Sequence, residues 1–268
     1  MAEASFAVSM GGLLAPTPER VIESSSLLPS SRTSYTHHQM RNLILCLAAP
    51  LVAQVPSGFT PLLTGHNPVA AFHVSEVNHH GNTKAWKLEQ PKGAPAVLTV
   101  TQEPAGNGGI LLTNKSYKNF EVYVEIKPDF GCDGGLFLRS TEKGEAYQVL
   151  LDYLEGGNVS GIYGEKLEAL NKEEPSEGRI DKNWRRNWKE NEWNSIRARI
   201  EGDVPHIQVW MNGVKVTDWT AKANYLPGGA TSGMIALQAH RSVPGSKNER
   251  WKAGGFHRYR NLAVKELP

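Results

Sequence analysis

The chain has 268 residues, 40% of them hydrophobic, and its 29 Lys and Arg nearly balance 27 Asp and Glu. This length and composition allow one substantial core and leave little room for a second full domain. The near-neutral charge gives no field that would attract nucleic acid or an anionic membrane, so the expected partner is small or uncharged. The 26 Gly and 16 Pro indicate many turns, as in all-β proteins.

The N-terminal part of the chain predicts an export signal. Residues 1–39 are rich in Ser, Thr and Pro without periodicity, and we interpret them as a disordered extension or as sequence upstream of the true start. Residues 40–53 begin with Met40 and Arg41 and continue with an apolar run, the layout of a secretory signal peptide. The run is shorter than the about 20 residues of a transmembrane helix. We therefore expect export to the periplasm or medium, with no integral membrane segment in the mature chain. The alternative is that the run is a core strand or helix.

Residues 57–268 predict one all-β domain, a sandwich of two antiparallel sheets. Short segments in which apolar and polar residues alternate are separated by Gly, Asn, Asp and Pro. The clearest predicted strands are 96–101, 109–113, 120–126, 135–139, 147–152, 194–200, 206–211, 234–240 and 259–264. The pair Asn212-Gly213 predicts a two-residue type I′ hairpin that joins residues 206–211 to 214–219. The glycine-rich residues 156–165 are interpreted as a loop beside a cleft, and residues 164–189 as its rim or lid.

Alternation along each strand predicts which side chains face away from the core. In strand 120–126, Phe120, Val122, Val124 and Ile126 form the predicted core face. If the strands share one concave sheet, their outer faces bring together the candidate residues Glu125, Arg139, Gln148, Asp152, Trp210, Gln238 and His240. Carboxylates and imidazoles can transfer protons, amides and guanidinium groups bind hydroxyls, and an indole offers a platform for a sugar ring. The pattern therefore predicts a carbohydrate site.

Loop residues add further candidates for substrate contacts, namely His79, His80, Asp133 and Glu165. The paired histidines beside Gly81 could also bind a divalent metal ion together with Asp133 or Glu165. The chain has no His-x-x-x-His pair or pair of closely spaced cysteines that would support this reading. No other cofactor is predicted.

The strand motifs, in their order along the chain, resemble one known family. They are Gly108–Thr113, Asn119–Glu125, Gly134–Arg139, Tyr147–Asp152, Glu192–Asn194, Asn212–Val216, Ile235–His240 and Tyr259–Leu267. The series is similar to that of the 3-keto-disaccharide hydrolase domain family over about residues 58–267. Each motif is weakly specific alone, and the eight together in this order are specific.

The resemblance implies a concanavalin A-like jelly-roll sandwich with a concave cleft face, and cleavage of glycosides already oxidised at C3. A ketone at C3 acidifies the hydrogen at C2, so a base can remove it and expel the substituent at C1, after which water adds. As a hypothesis, Asp152 or His240 is the base, Glu125 is the second acid or base, and Arg139 with Gln148 binds the developing oxyanion. The expected partner is a small oligosaccharide or glycoside.

Two other functions fit the same sequence. A non-catalytic carbohydrate-binding module would bind sugar without releasing product, since one fold serves both roles. A laminarinase-type endoglucanase would carry two acids four residues apart on one strand, and Glu121 and Glu125 have that spacing. Tyr123 stands at the middle position where such enzymes carry Asp, which weakens this second reading.

Overall fold

The computed structural model describes residues 54–64 and 68–268. Within this part the chain forms one short α-helix, α1 (Glu168–Glu173), four 3-10 turns and fourteen strands. The strands are β1 (Thr60–Pro61), β2 (Phe72–Val74), β3 (Trp86–Glu89), β4 (Val97–Val100), β5 (Gly109–Tyr117), β6 (Phe120–Ile126), β7 (Gly134–Ser140), β8 (Ala146–Leu151), β9 (Val159–Glu165), β10 (Asn194–Glu201), β11 (His206–Met211), β12 (Val214–Thr220), β13 (Gly233–Ala239) and β14 (His257–Glu266). The predicted signal peptide, residues 40–53, and the preceding extension lie outside the described residues.

The strands form two antiparallel sheets. Sheet I has the order β12-β11-β10-β6-β14-β4-β3, with β1 paired to β14, and sheet II has the order β2-β5-β13-β7-β8-β9. Many neighbours in space are distant in sequence, for example β13 between β5 and β7, as expected for a jelly roll rather than a simple meander. The predicted all-β, concanavalin A-like sandwich is thus confirmed.

The main core fills the space between the two sheets. On β6, Phe120, Val122, Val124 and Ile126 are fully buried, which confirms the predicted core face of this strand. A second, smaller apolar cluster lies on the opposite face of sheet II and contains Ile110, Leu112, Phe137, Ala146 and Ala236. Apolar clusters of this kind form beneath loops that pack on a sheet. Loops therefore cover part of the outer face of sheet II, and a pocket can form between these loops and the sheet.

The hairpin predicted from Asn212-Gly213 is present. Met211 pairs with Val214 across the turn, and both turn residues have positive φ, 49° for Asn212 and 84° for Gly213. The side chain of Asn212 also accepts a hydrogen bond from the backbone N–H of Ser195 at 2.9 Å. The turn residues thus fix the register of β11 against β12.

We expect Gly213→Ala to lower the free energy of unfolding by about 1 kcal/mol, because a Cβ is unfavourable at positive φ. No heavy atom lies within 4 Å of the added Cβ, so backbone conformation is the cause. Gly178→Ala is the matched control, since that position is equally open but has no positive φ. Urea denaturation of the two variants measures the difference, and equal stabilities would contradict the account.

Two segments predicted as loops carry regular structure. Residues 159–165 form β9, the edge strand of sheet II, whose Gly-rich sequence hides the usual alternation. The segment 164–189 contains α1 and packs on β9 through the buried side chain of Arg179. That guanidinium donates to the carbonyl oxygens of Ile162 and Glu174, both at 2.9 Å. The segment is therefore a fixed wall at the edge of the sheet.

No helix in the described parts of the chain has the length and apolar composition needed to cross a membrane.

Candidate active site

Eight of the predicted site residues converge on the outer face of sheet II. A pocket of about 330 Å³ is lined by His79, His80, Asp133, Gln148, Leu150, Tyr163, Glu165 and His240. Two more predicted residues lie just behind this lining: Gln238 bonds to two of its members, and Asp152 is linked to Asp133 through Arg250.

Strand register explains why these residues meet. Gln148 of β8 lies opposite both Phe137 of β7 and Tyr163 of β9, so the three side chains share one face. Asp133 immediately precedes β7 and His240 immediately follows β13. Since β7 and β13 are antiparallel neighbours, both residues lie at the same end of the sheet. The sandwich thus gathers residues that are more than 100 positions apart.

Gly135 gives the two glutamines room to meet. It pairs with Gln238 on one side and with Leu150 on the other. A Cβ at this position would collide with the side-chain amides of both Gln148 and Gln238. The Nε2 of Gln148 donates to the Oε1 of Gln238 at 3.1 Å, and the Nε2 of Gln238 lies 2.8 Å from the Nε2 of His80. The second glycine of the Gly-Gly motif at the start of β7 therefore leaves the space in which the two glutamine side chains meet.

The loop between β2 and β3 carries the two histidines in a fixed position. Asn78 donates to the carbonyl oxygens of Ser75 and Gly81, and its Oδ1 accepts from the backbone N–H of His80 at 2.8 Å. Ser75 donates in turn to the carbonyl oxygen of Glu142 at 2.6 Å. The imidazole of His80 packs over Phe137 of the small apolar cluster, with ring centres 6.3 Å apart. The loop is therefore anchored on sheet II.

His79 and His80 both face Glu165, the last residue of β9. The Oε1 of Glu165 lies 2.8 Å from the Nε2 of His79 and 3.5 Å from that of His80. Burial alone would raise the pKa of Glu165, but hydrogen bonds from the two imidazoles outweigh it and lower the pKa to about 2. Burial lowers the pKa of His80, so its imidazole is neutral near pH 7. Within the described residues, these three form a group that could hold a metal ion.

On the other side of the pocket, the lining residues Asp133 and His240 lie close to a pair behind the lining, Arg250 and Asp152. The Oδ2 of Asp133 lies 3.8 Å from the Nε2 of His240 and 3.9 Å from the Nε of Arg250, and Arg250 also forms an ion pair with Asp152. The chain near Arg250 is fixed on the sandwich, because the backbone N–H of Asp133 donates to the carbonyl oxygen of Arg250 at 2.9 Å. Asp152 thus forms a close ion pair with Arg250, whereas Asp133 lies farther from the same guanidinium.

The environment shifts the pKa of Asp133 and the pKa of His240 in opposite directions, each towards its neutral form. Burial, together with the charges of Asp152 and Glu165, raises the pKa of Asp133 well above its usual value, and Arg250 offsets this only in part. Burial, with the neighbouring His80, lowers the pKa of His240 to about 4. Among the described atoms, the Oδ1 of Asp133 and the Nδ1 of His240 have no hydrogen-bond partner. An imidazole and a carboxyl group that lie 3.8 Å apart, with their pKa values shifted in opposite directions, can act as a base and an acid.

Glu125 does not lie in this pocket, which corrects the predicted placement. It is on β6 of sheet I, where its carboxylate accepts from the Nε of Arg260 at 2.6 Å, from Asn261 at 3.0 Å and from the hydroxyl of Tyr123 at 3.0 Å. Alternation correctly placed it on an outer face, but of the other sheet. Glu121 shares that strand, so the two acids of the laminarinase reading also lie away from the pocket.

Arg139 is a second correction, because its side chain is fully buried inside the sandwich. Its guanidinium donates to the carbonyl oxygens of Lys118 at 2.7 Å and Gly202 at 2.9 Å, and to the Oδ1 of Asn119 at 3.2 Å. Arg139 has a φ of 54°, and the register of β7 against β13 shifts at this point. This β-bulge turns the side chain away from the face shared with Phe137.

Trp210 is the third correction. It lies on β11 of sheet I, where the guanidinium of Arg197 covers its ring at 3.9 Å from the ring centre. The indole is therefore occupied by a cation–π contact on a different surface. It offers no platform to the pocket on sheet II.

The sequence did not reveal two residues of the site, namely Tyr163, which lines the pocket, and Arg250, which contacts Asp133 from behind the lining. Arg250 lies in an irregular segment between β13 and β14 that has no periodicity from which a position could be inferred. Tyr163 belongs to β9, and recognising that strand would have placed it opposite Gln148.

Comparison with known proteins decides the family. The sequence model of the 3-keto-alpha-glucoside-1,2-lyase-like domain matches residues 71–265, which is most of the chain and includes every pocket residue. The chain belongs to this family. This confirms the resemblance found in the sequence motifs and makes the protein a member of a family of carbohydrate-active domains.

Solved structures support the fold. A "Putative glycosyl hydrolase" from Parabacteroides distasonis ATCC 8503 is 20% identical, with a TM-score of 0.50 over 78% of this chain and 99% of that chain. A second protein with that name from the same organism is 16% identical, with a TM-score of 0.50 over 79% of this chain and 94% of that chain. At these identities the likeness concerns the fold alone. Comparison with curated protein sequences gives no match.

Proposed function

We propose that this family member cleaves glycosides that carry a ketone at C3 of the sugar, by elimination across C1 and C2 followed by hydration. The family match supports the substrate class. One observation supports the site: the imidazole of His240 lies 3.8 Å from the carboxyl of Asp133 at a pocket of about 330 Å³. Elimination needs a base and an acid that act on neighbouring carbon atoms, and this pair supplies both.

The reaction balances with these two groups. The Nε2 or Nδ1 of neutral His240 accepts the proton from C2, and the electron pair forms an enolate with the C3 ketone. The C1–O bond then breaks, and the leaving oxygen takes the proton of Asp133. In the second half, water adds to C1 of the enone, Asp133 recovers a proton from that water, and His240 returns a proton to C2. One water is consumed, and a 3-keto sugar and a free alcohol are formed.

This assignment modifies the roles predicted from the sequence. His240 keeps the role of base, because Asp152 is paired with Arg250. Asp133 takes the role that Glu125 was expected to fill. Gln148 lines the pocket together with Tyr163, and both present hydrogen-bonding groups that suit sugar hydroxyls.

Turnover of a matched substrate pair tests the proposal. We expect the protein to release the alcohol from a 3-keto-glucoside and from 3-keto-trehalose, and to leave the unoxidised parent glycosides intact, because their C2 hydrogen is not acidic. Sugar binding without product release would instead indicate a non-catalytic module. Equal turnover of the unoxidised parents would contradict the elimination chemistry.

We propose as well that the protein is exported, on the strength of the basic and apolar residues 40–53. N-terminal sequencing of the protein recovered from the periplasm or medium is expected to give a chain that begins near Gln54. A mature chain that retains Met1 would contradict this proposal.

A further inference from the structure

Three potential ligand atoms from two parts of the chain converge at the rim of the pocket. The Oε1 of Glu165 lies 2.8 Å from the Nε2 of His79 and 3.5 Å from the Nε2 of His80, and the ligand atoms of the three residues all lie within 4.8 Å of one another. Atoms that bind one ion at about 2.1 Å stand about 3.0 Å apart at right angles and about 3.4 Å apart at the tetrahedral angle. The observed N–O distances match that spacing closely.

Both parts of the chain are held in place without an ion. The histidines are on the loop that Asn78 closes through three hydrogen bonds. Glu165 ends β9, where the side chain of Asn171 bonds the backbone N–H and carbonyl oxygen of the preceding residue, Gly164, at 3.0 and 2.6 Å. A site whose ligands are already oriented loses little entropy when it binds an ion.

The donor set indicates which ions would bind. Two imidazole nitrogens with one carboxylate suit Zn²⁺, Mn²⁺, Co²⁺ or Fe²⁺, whereas Mg²⁺ and Ca²⁺ prefer oxygen ligands. Three protein ligands leave coordination positions for water or substrate, as in catalytic rather than structural metal sites. All three residues line the same pocket as His240 and Asp133.

We propose that His79, His80 and Glu165 bind one divalent first-row metal ion, and that this ion binds the oxygen atoms at C2 and C3 of the keto sugar. The role towards the sugar rests on the proposed function, whereas binding of the ion does not. An ion on the C3 oxygen draws electron density from the ketone and stabilises the enolate that forms when C2 loses its proton. It would also select sugars with a hydroxyl next to the ketone, since two adjacent oxygens fill two open positions.

Equilibrium dialysis of the intact chain tests ion binding without any assay of activity. The chelator-treated protein is dialysed against Zn²⁺, Mn²⁺ or Co²⁺, with Mg²⁺ as the control, and bound metal is counted by mass spectrometry. We expect one Zn²⁺ or Co²⁺ per chain and no stoichiometric Mg²⁺. The visible spectrum of bound Co²⁺ reports nitrogen ligation directly.

Two ligand variants and one matched control locate the ion. Glu165→Gln and His79→Gln are each expected to weaken Co²⁺ binding at least 100-fold and to change its spectrum. His206→Gln is the control, because His206 also pairs with a carboxylate, Asp218, at 2.7 Å on sheet I. His79 is partly exposed, so its variant is expected to fold normally even if Glu165→Gln does not. Absence of stoichiometric binding, or unchanged binding in His79→Gln, would overturn the proposal.

The results separate this inference from the proposed function. If the protein binds Co²⁺ at His79 and Glu165 but does not act on 3-keto-glucosides, the metal site stands and the reaction is wrong. If the chelator-treated protein binds no ion and turns over the 3-keto-glucoside at the full rate, the reaction stands and the metal site is wrong. If binding and turnover are lost together in His79→Gln, both stand.

Discussion

The Asp133→Asn variant is expected to lose about 10²- to 10⁴-fold in kcat/KM for a 3-keto-glucoside, the usual effect of removing a general acid or base. Asparagine has nearly the same shape but cannot donate the proton that the leaving oxygen needs. The variant replaces a carboxyl group whose pKa burial raises, so loss of its charge is expected to leave the fold intact. Steady-state kinetics give the ratio, and thermal unfolding shows whether the fold is retained.

Glu125→Gln is the matched control for that variant. Glu125 is also a buried carboxylate next to an arginine, but it lies on sheet I with Arg260. We expect its replacement to change kcat/KM less than twofold, even where the loss of the ion pair lowers stability. If Glu125→Gln abolished turnover and Asp133→Asn did not, the pocket on sheet II would not be the site of the reaction.

The second large effect concerns stability rather than turnover. Arg139→Met is expected to lower the free energy of unfolding by about 3 kcal/mol, because the variant removes a fully buried guanidinium and its hydrogen bonds to the carbonyl oxygens of Lys118 and Gly202 and to Asn119. Urea denaturation measures this loss. In the fraction that remains folded, kcat/KM is expected to be unchanged.

Arg250→Met provides the comparison for Arg139→Met. Arg250 is partly exposed and contacts Asp133 and Asp152 in the pocket. Its loss is therefore expected to act on turnover more than on stability. If a variant of Arg139 kept its stability but lost turnover, Arg139 would contact the substrate, and its placement away from the site would be wrong.

The local patterns of the sequence predicted the strands and most of the pocket. The alternation in β6, β8 and β13 identified the outward residues Gln148 and Gln238, and Asn212-Gly213 fixed a hairpin. Turn chemistry and period-2 alternation are local properties, so they can be interpreted without knowledge of the fold.

The predictions fail for residues whose position depends on how strands distant in sequence pair with one another. Alternation shows that Glu125 and Trp210 leave the core, but it does not show which sheet their strands join. Arg139 was misplaced because a bulge at this residue changes the alternation of β7. The sequence motif around it, Leu138-Arg139, looks like any other strand.

The glycine-rich strand β9 was missed for a related reason. Gly161 and Gly164 lack side chains that would show alternation, and both are small because neighbouring side chains approach them closely. The sequence therefore predicts a loop here, although it does single out the last residue of the segment, Glu165, as a site candidate. Arg250 has no signal in its irregular segment, where tertiary hydrogen bonds place it: its carbonyl oxygen accepts from the backbone N–H of Asp133, and its own backbone N–H donates to the hydroxyl of Ser242.

The most direct test of the account is the fate of the hydrogen at C2. When a 3-keto-glucoside is turned over in D₂O, removal of that proton and later hydration are expected to leave deuterium at C2 of the 3-keto sugar, as measured by NMR. Product incubated in D₂O without the protein corrects for exchange that the ketone undergoes by itself. Release of the alcohol with protium fully retained at C2, and with no primary isotope effect from a substrate deuterated at C2, would show direct hydrolysis and contradict the proposed elimination.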